Sequence, residues 1–373
     1  MQLLVIKDVI FTDFTKAFDK VNHLLLIKKL KLMGFTNMSI KWIYSYLTER
    51  TQTVYFRNNI SKRIKVLSGV PQGSHLGPLL FLLFINDLPS IIKYSNILLY
   101  ADDVKIFFSI KQQTDQELLQ NDLNSLYKWC NFNLMVLNLK KCKIMRFTRN
   151  MPVDANYFLG DYQLQLVDTF SDLGILLDAE LNFGLHVTSI INKARCTLGF
   201  IKRWSKEFND PYVTKNLYTS LVRPILEYGS VIWDPLYQTH SNAIESVQKQ
   251  FLIFCLRGLR FNPINLPSYA SRLALIKLPT LKSRRIMLNV TFLLNIINGN
   301  ICSGFLINEI FFNIPHRPSR YFIPLSVEFR RQNYADADPI RRLCNTFNQF
   351  HQFIDFSLPL ESVKKSLITM LNN

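Results

Sequence analysis

The sequence predicts an α+β fold in which strands lie in the first half of the chain and helices dominate the second half. Two observations carry this prediction. Short β-prone runs alternate with helical repeats up to about residue 184, and two such runs flank the adjacent acids Asp102 and Asp103. From residue 185 the apolar residues follow the spacing of a helix, as Val187, Ile191 and Leu198 do.

The first elements follow from local patterns. A β-prone run over residues 1–12 ends at Asp13, and an amphipathic helix over 20–35 stops at Gly34. Its apolar stripe is predicted at Leu24, Ile27, Leu30 and Met33. A second helix covers 39–47, and two short runs separated by "NNIS" predict a hairpin.

A loop rich in proline and glycine, "VPQGSHLGP", then leads into a short apolar helix. Its longest apolar run, Leu79 to Ile85, has seven residues, whereas a membrane span needs about 20, so we expect a buried helix. The stretch "NILLYADDVKIFFS" predicts two strands with the carboxylates at their turn.

A helix over 114–133 follows, with Thr114 as N-cap and Glu117 completing a capping box. Further β-like runs are predicted at 143–149, 157–166 and 174–177. Three basic helices are predicted over 185–261, and "NPINLP" marks a boundary before a basic, mostly helical region.

Composition constrains the partner and the compartment. The chain has 373 residues, 44 Lys+Arg against 27 Asp+Glu and a net charge of +17, which favours a polyanionic partner. Nucleic acid is the favoured partner, with an anionic membrane surface as the alternative. No signal-peptide pattern opens the chain, and its six cysteines lack any C-x-x-C spacing, which favours a reducing intracellular compartment.

Asp102 and Asp103 raise an electrostatic question, because two like charges side by side in apolar surroundings are costly. Bound divalent cations would keep them ionised, and paired cations bridged by carboxylates catalyse in-line phosphoryl transfer. Asp13, which also ends an apolar run, is the candidate third acid. Taken singly, a solvated turn explains the pair and a helix N-cap explains Asp13.

Several segments in order resemble reverse transcriptases of non-long-terminal-repeat (LINE-type) retrotransposons. Similar to successive palm motifs are "FTDFTKAFDKVNH" (11–23), "SGVPQGSHLGPLLFLLFINDLP" (68–89), "YADDV" (100–104) and "LNLKKCKIM" (137–145). "FSDLGILLDAELNF" (170–183) resembles the primer-gripping hairpin. Typical of the jockey-like branch are "LYTSLVRPILEYGSVIWDP" (217–235), "IESVQKQFL" (244–252) and "FNIPHRPSR" (312–320).

The resemblance implies a right-hand polymerase. The palm, an antiparallel sheet with packed helices, would cover 1–184, with the primer-grip hairpin near 157–183. A helical thumb would cover 185–261, and 262–373 would be a C-terminal region of unknown role. Only 12 residues precede Asp13, so we expect an N-terminally truncated fragment whose fingers are largely missing, without the family's upstream endonuclease domain. Weak or no activity is expected of such a fragment.

The resemblance also implies roles for single residues. Asp13, Asp102 and Asp103 would hold two Mg²⁺ ions, with Mn²⁺ as the alternative ion, while a primer 3′-hydroxyl attacks the α-phosphate of a dNTP. Lys141 would lie near the leaving pyrophosphate as a general acid. Phe18 would lie beneath the sugar and exclude a ribose 2′-hydroxyl. The other implied substrate-binding residues are Gly69, Pro71, Gln72, Gly73, Tyr100 and Ala101.

Partners and alternatives follow from the same resemblance. The chain would bind an RNA template, a DNA primer and their RNA–DNA hybrid, and it would not bind a membrane. It would act within a ribonucleoprotein of the cytoplasm and nucleus. The alternative function is a catalytically inactive remnant that only binds nucleic acid. Another right-hand polymerase, such as an intron maturase or a telomerase, is a weaker reading because the later segments are jockey-like.

Overall fold

A computed structural model describes residues 6–148, 156–205, 210–258, 267–314, 323–327, 338–354 and 359–372. The described residues divide into two compact units. The first runs to Phe170 and includes Asp178–Leu181; the second comprises Ser171–Leu177 and the residues from Asn182 onward. Both helices and strands are present, as the sequence predicts. The predicted boundary at 261/262 lies outside the described residues.

The first unit alternates strands and helices. Its sheet strands and their neighbours are, in chain order, β1 (Ile6–Thr12), α1 (Ala17–Lys20), α2 (His23–Leu32), α3 (Asn37–Leu47), β2 (Thr51–Gln52), β3 (Tyr55–Phe56), β4 (Asn59–Ile60), β5 (Ile64–Lys65), α4 (Leu76–Ile85), β6 (Asn96–Tyr100), β7 (Asp103–Ile110), α5 (Gln113–Phe132), β8 (Lys143–Phe147), β9 (Phe158–Leu159), β10 (Tyr162–Gln163) and β11 (Gln165–Leu166). The strands β12 (Thr169–Asp172) and β13 (Ile175–Asp178) follow. A boundary between the two units falls within each of these strands.

A five-stranded sheet in the order β11–β8–β1–β7–β6 forms the centre of the first unit. Its neighbours are antiparallel except β11 and β8, which run parallel. Ile10, Ile106 and Ile144 are cross-strand neighbours in one buried row. They share a core with Phe84 of α4 and Leu123 of α5. Burying each such side chain contributes about 1.5–3 kcal/mol, so this face holds the strands in place.

Three local predictions for the first unit need correction. In α2 the buried pair is Leu26 and Leu30, whereas Leu24 is 70% exposed, because residues four apart stack on one face while a three-residue spacing drifts around the helix. α5 begins at Gln113 rather than after Thr114, since the Asp115 carboxylate accepts the N–H groups of residues 111 and 112. The hairpin predicted around "NNIS" turns one residue earlier, at Arg57–Asn58.

The second unit is mainly helical, as predicted for the second half. Its elements are α6 (Gly184–Trp204), α7 (Pro211–Leu217), a π-helical turn (Tyr218–Val222), α8 (Arg223–Glu227), α9 (Ser230–Trp233), α10 (Gln238–Gly258), α11 (Tyr269–Ile276), α12 (Leu281–Ile297), α13 (Gly304–Asn308), β14 (Phe311–Phe312), β15 (Leu325–Ser326), α14 (Pro339–Phe350) and α15 (Leu360–Asn372). The π-helical turn precedes Pro224, which lacks the N–H that a regular helix would use.

The core of the second unit explains which aromatic residues are structural. Tyr218 and Trp233 are buried, and the Tyr218 ring stacks on Phe251 with centroids 4.1 Å apart. Trp204 and Tyr228 remain largely exposed. Two of these four aromatic residues are therefore core residues.

The "WDP" sequence within residues 217–235 has a structural role. The Asp234 carboxylate accepts hydrogen bonds from Arg285 Nε at 2.7 Å and from Asn289 Nδ2 at 2.8 Å. Arg285 and Asn289 both lie on α12 and are buried. Asp234 therefore joins the end of α9 to α12 by charge-assisted hydrogen bonds.

Four of the six cysteines behave as small buried apolar residues. Cys130, Cys142, Cys255 and Cys344 are buried free thiols, and burial raises the pKa of Cys130 to about 12. Burial likewise raises the pKa of Cys142 above its usual range, so this thiol stays protonated near neutral pH.

Among the described helices, none combines the length and the apolar character needed to cross a membrane.

His186 gives the second unit an expected pH dependence. Its Nδ1 accepts the Leu176 N–H at 3.2 Å, its ring packs edge-on against Trp233, and burial lowers its pKa. As the pH falls below the unfolded-state value of about 6.5, the unfolded chain binds the proton first. The stability contributed by neutral His186 is therefore fully present above that pH. It decreases as the pH falls further, until the pH reaches the lowered folded-state pKa.

Thermal unfolding between pH 8 and pH 5 measures this loss, and the matched variant is His186→Gln, whose side chain does not titrate. We expect the wild-type unfolding temperature to fall more steeply with acid than that of the variant. Identical slopes for the two chains would show that His186 does not cause the dependence.

Candidate active site

The predicted carboxylates lie at one end of the central sheet. Thr12 of β1 pairs with Val104 of β7, and the Thr12 hydroxyl donates to the Val104 carbonyl oxygen at 3.0 Å. Asp13 directly follows the end of β1, and the residue before Val104 on β7 is Asp103. β6 and β7 form the predicted hairpin, with Asp102 in its turn. Strand pairing therefore brings the end of β1 beside this turn.

The hairpin turn consists of Ala101 and Asp102, between the paired residues Tyr100 and Asp103. Ala101 has a φ of 52°, a left-handed backbone that is uncommon for a residue with a side chain. The two aspartates are partly buried, and the Tyr100 side chain is 66% exposed. The turn thus presents carboxylates at the surface while Val104 enters the core.

Lys141 meets Asp13 across the same end of the sheet. Its Nζ lies 3.3 Å from Asp13 Oδ2, and the two side chains are 66% and 34% exposed. The Asn138 N–H donates to the Asp13 carbonyl oxygen at 2.7 Å, which fixes the segment that carries Lys141. Lys141 was singled out among three neighbouring lysines by resemblance alone, and the structure places it on the Asp13 carboxylate.

A second group of predicted residues is held against α1. The loop donates Gly69 N–H to the Val21 carbonyl oxygen at 2.8 Å and Val70 N–H to the Phe18 carbonyl oxygen at 2.9 Å. Gln72 Nε2 donates to Asp19 Oδ1 at 2.9 Å. The Asp19 carboxylate therefore holds the Gln72 side chain. Asp19 is therefore a site residue that the sequence reasoning missed.

Phe18 is half-buried and stacks on Phe81 of α4, with ring centroids 4.5 Å apart. Pro71 accepts the Ser74 hydroxyl at its carbonyl oxygen at 2.7 Å, and a side chain at Gly77 would meet that oxygen at 2.3 Å. The helix α4 thus packs directly beneath both the ring and the loop. These contacts fix Phe18 and the loop on the same support.

Gly69 and Gly73 make a matched pair for substitution. Both have a positive φ, 84° and 77°, but a Cβ at Gly69 would lie 2.7 Å from the Asp19 backbone, whereas Gly73 has open space. We expect Gly73→Ala to cost about 1 kcal/mol of unfolding free energy and Gly69→Ala to cost clearly more, about 2–4 kcal/mol. Urea unfolding of the two variants measures these free energies. Equal costs would contradict the close approach of Gly69 to the Asp19 backbone.

The donor chemistry of the site suits a hard divalent cation, because Asp13, Asp102 and Asp103 offer carboxylate oxygens. Among the residues that the structure describes, no group of three His, Cys, Asp or Glu side chains is arranged to hold a metal ion unaided. Mg²⁺ in phosphoryl-transfer sites commonly binds one or two carboxylates together with substrate phosphates. The chemistry of these donors fits such an ion, although the described carboxylates do not enclose one by themselves.

A buried polar cluster anchors the strands that carry the site, and the sequence reasoning missed it. Asp8 of β1 lies opposite Arg146 of β8, with Arg146 Nε at 2.6 Å from Asp8 Oδ1 and Nη2 at 2.8 Å from Oδ2. Tyr157 donates its hydroxyl to Asp8 Oδ2 at 2.8 Å, and burial raises the pKa of Tyr157, which stays protonated. All three side chains are buried. The available signal was a charged residue within each of two β-prone apolar runs.

Asp122 is a further residue that the sequence reasoning missed. Its buried carboxylate accepts three backbone N–H groups, from residues 93, 94 and 95, at 2.7–3.0 Å. β6 begins at the next residue, Asn96. Asp122 therefore ties α5 to the start of the hairpin strand that leads to Tyr100.

Comparison with known proteins assigns the domain. Residues 7–180 match the family described as reverse transcriptase (RNA-dependent DNA polymerase). This segment is a reverse transcriptase domain. It contains Asp13, the hairpin, the loop at 69–73 and Lys141 within one matched region.

Three of the proteins to which this chain is similar are transposon proteins of Drosophila melanogaster. The chain is 31% identical to the probable RNA-directed DNA polymerase from transposon BS, over 65% of this chain and 28% of that protein. It is 28% identical to the corresponding proteins from transposon X-element and from mobile element jockey, in each case over 65% of this chain and 27% of the relative. The match thus spans about a quarter of the length of these relatives.

Among solved structures, a telomerase from Candida tropicalis in complex with a fragment of telomeric RNA matches 69% of this chain and 39% of its own, with 12% identity and a TM-score of 0.37.

Proposed function

We propose that this chain carries the polymerase centre of a jockey-like LINE-type retrotransposon and adds deoxynucleotides to a primer 3′-hydroxyl on an RNA template. The observation that supports this most is the strand register that brings Asp13 beside the Asp102–Asp103 turn. Carboxylates on two adjoining strand ends are the arrangement that phosphoryl transfer requires. The match of residues 7–180 to the reverse transcriptase family supports the same proposal.

Asp13, Asp102 and Asp103 are proposed to hold the divalent cations, Mg²⁺ or Mn²⁺. When bound, such ions promote deprotonation of the 3′-hydroxyl and stabilise the charge that develops on the α-phosphate. Asp13 leaves β1 at a fixed point because Thr12 is hydrogen-bonded to β7. The protein's contribution is thus to preorganise negative charge at this end of the sheet.

Lys141 is proposed to act on the leaving pyrophosphate. Its ammonium group lies beside Asp13 and is largely exposed, so it can reach a phosphate that approaches the carboxylates. A lysine there neutralises developing negative charge and can donate a proton to the leaving group. This role fits its position between the carboxylate and solvent.

Phe18 and the loop at 69–73 are proposed to shape the nucleotide pocket. Phe18 is held by its stacking on Phe81, so its ring presents a fixed surface that would clash with a ribose 2′-hydroxyl. The proposed substrate contacts are Gly69, Pro71, Gln72, Gly73, Tyr100 and Ala101.

We expect Phe18→Ala to raise ribonucleotide incorporation relative to deoxynucleotide incorporation about tenfold or more. Misincorporation assays with rNTP and dNTP pairs measure the ratio, and an unchanged ratio would contradict this role.

The larger domain assignments are part of the same proposal. Residues 1–184 form the palm with the primer-grip hairpin near 157–183, 185–261 the thumb, and 262–373 a region without an assigned role. Lys193, Arg195 and Arg203 are exposed on α6 and are proposed to contact phosphates of the RNA–DNA hybrid. Such contacts would hold the duplex without reading its sequence.

Primer extension tests the proposed function. The full chain is incubated with a labelled DNA primer on an RNA template, dNTPs and Mg²⁺, and products are resolved by length. We expect weak, template-dependent extension that still exceeds the extension by Asp13→Asn at the same protein concentration. Equal signals from the two proteins would contradict polymerase function, even if both bind the primer–template.

A further inference from the structure

The backbone of the loop at 69–73 is held in place at Gly69. Its N–H donates to the Val21 carbonyl oxygen, and its own carbonyl oxygen accepts Arg50 Nη2 at 2.8 Å. The buried His23 Nε2 lies 2.9 Å from the same oxygen, and it must donate there because a carbonyl oxygen can only accept. None of these three bonds uses a carboxylate, so the start of the loop is fixed without one.

The backbone of Asp19 is fixed against the same loop. Its N–H donates to the Lys16 carbonyl oxygen at 3.0 Å, and its carbonyl oxygen accepts the Ser68 hydroxyl at 2.8 Å. A Cβ at Gly69 would lie 2.7 Å from the Asp19 Cα, so α1 and the loop are in direct contact. The Asp19 carboxylate therefore extends from a fixed backbone beside the loop.

The Gln72 side chain depends on that carboxylate for its direction. Gln72 is exposed, and its Nε2 donates to Asp19 Oδ1 at 2.9 Å. Among the described residues, Asp19 is the hydrogen-bond partner of this side chain. An exposed glutamine without a partner samples several rotamers, whereas a bond to a charged acceptor is stronger than one between neutral groups. Asp19 thus restricts Gln72 without being needed to hold the loop itself.

The chemistry of Asp19 also decides which end of the Gln72 amide faces it. A charged carboxylate has only acceptor oxygens, whereas a glutamine amide has a donor end, Nε2, and an acceptor end, Oε1. Nε2 must therefore face Asp19, which leaves Oε1 for another partner. Asp19→Asn would lose this selectivity, because an asparagine amide can either accept from Nε2 or donate to Oε1.

We propose that Asp19 is a positioning residue for the incoming nucleotide, because it orients Gln72 so that Oε1 is presented to the substrate as an acceptor. An acceptor there suits a hydroxyl or amino donor of the nucleotide and not its phosphate oxygens. A side chain that is already oriented loses less conformational freedom when the nucleotide binds. This inference rests on the proposed function, in which Gln72 contacts the substrate, and adds a second residue that acts through Gln72.

Equilibrium binding of a dNTP, labelled on its base, to the full chain tests the proposal. The chain is first bound to a primer–template whose primer ends in a dideoxynucleotide, so that the templated dNTP can bind but cannot be added. Its Kd is measured for Asp19→Ala, Asp19→Asn, Gln72→Ala and the double variant Asp19→Ala with Gln72→Ala. The matched control is Asp161→Ala, which removes an exposed carboxylate from a hairpin turn of the same unit.

We expect Asp19→Ala to raise the Kd of the dNTP about three- to tenfold, the range that corresponds to the loss of one hydrogen bond. Gln72→Ala should raise it at least as much. The double variant should bind like Gln72→Ala alone, because Asp19 has nothing left to orient once Gln72 is gone. Asp19→Asn should show a smaller increase, about twofold, and Asp161→Ala should bind like the wild type. Circular dichroism of each variant checks the fold.

Three results would overturn the proposal. The first is a Kd for Asp19→Ala equal to that of the wild type. The second is a double variant that binds clearly more weakly than Gln72→Ala, which would show that Asp19 acts by its charge or through the fold instead of through Gln72. The third is a wild-type chain that binds no dNTP in this complex.

Extension of an ordinary primer by the same proteins separates this proposal from the proposed function. A wild type that binds the dNTP but never extends the primer would contradict polymerase function, while the Kd values would still decide the role of Asp19. A wild type that extends the primer, with an Asp19→Ala variant that has an unchanged Kd, would overturn the positioning role alone.

Discussion

Replacing Asp102 by asparagine should reduce the rate of primer extension at least about a hundredfold, because it removes one proposed metal-binding charge while keeping the shape of the side chain. Asp102 lies in a two-residue turn and is partly exposed, so the fold should be nearly unaffected. We expect its unfolding free energy to stay within about 0.5 kcal/mol of the wild type. Single-turnover extension and urea unfolding on the same preparation separate the two effects.

Asp161→Asn is the matched control for this experiment. Asp161 is an exposed acid in the turn between β9 and β10, so the substitution removes the same charge from another hairpin turn of the first unit. Its extension rate should remain close to that of the wild type. If Asp161→Asn slows extension as much as Asp102→Asn does, the loss reflects charge in general and the proposed role of Asp102 is wrong.

Asp8→Ala should destabilise the first unit by about 3–5 kcal/mol, the cost of leaving one partner of a buried ion pair without its counter-charge. Arg146 and Tyr157 would both lose their acceptor in a buried position. Because Asp8 and Arg146 are opposite each other, they also fix the pairing of β1 with β8. Hydrogen exchange of peptides from these two strands, in the full chain, measures the loss.

The double variant Asp8→Leu with Arg146→Met provides the comparison. Replacing a buried ion pair by apolar side chains of similar size is often nearly neutral, so most of the stability should return. An Asp8→Ala cost below about 1 kcal/mol would contradict the buried pair. A double variant as unstable as Asp8→Ala would also contradict the buried pair.

The parts of the site that could be predicted are those that depend on residues close together in the sequence. The hairpin around Asp102 follows from apolar residues on both sides of a short polar turn, and β6 and β7 confirm it. Asp13 was predicted at a strand end for the same reason, and β1 ends at Thr12. The roles of these aspartates came from a family resemblance, because no local pattern states what a carboxylate binds.

The parts that could not be predicted depend on contacts between distant segments. The pairing of Asp8 with Arg146 joins residues 138 positions apart, and the sequence shows only a charge in each strand. The buried face of α2 depends on which residues meet α4 and the sheet, so its register was misplaced. Asp19 resembled an ordinary first-turn acid because its partner Gln72 lies 53 positions later.

The central claim is that Asp13 and the hairpin aspartates hold a divalent cation during polymerisation. Primer extension by Asp13→Cys with different ions tests it most directly, because a thiolate binds hard Mg²⁺ poorly and softer ions well. We expect Asp13→Cys to be inactive with Mg²⁺ and to regain extension when Mn²⁺ or Cd²⁺ is added, while Asp161→Cys extends with Mg²⁺ alone. Wild-type extension by Asp13→Cys with Mg²⁺ alone would contradict the claim.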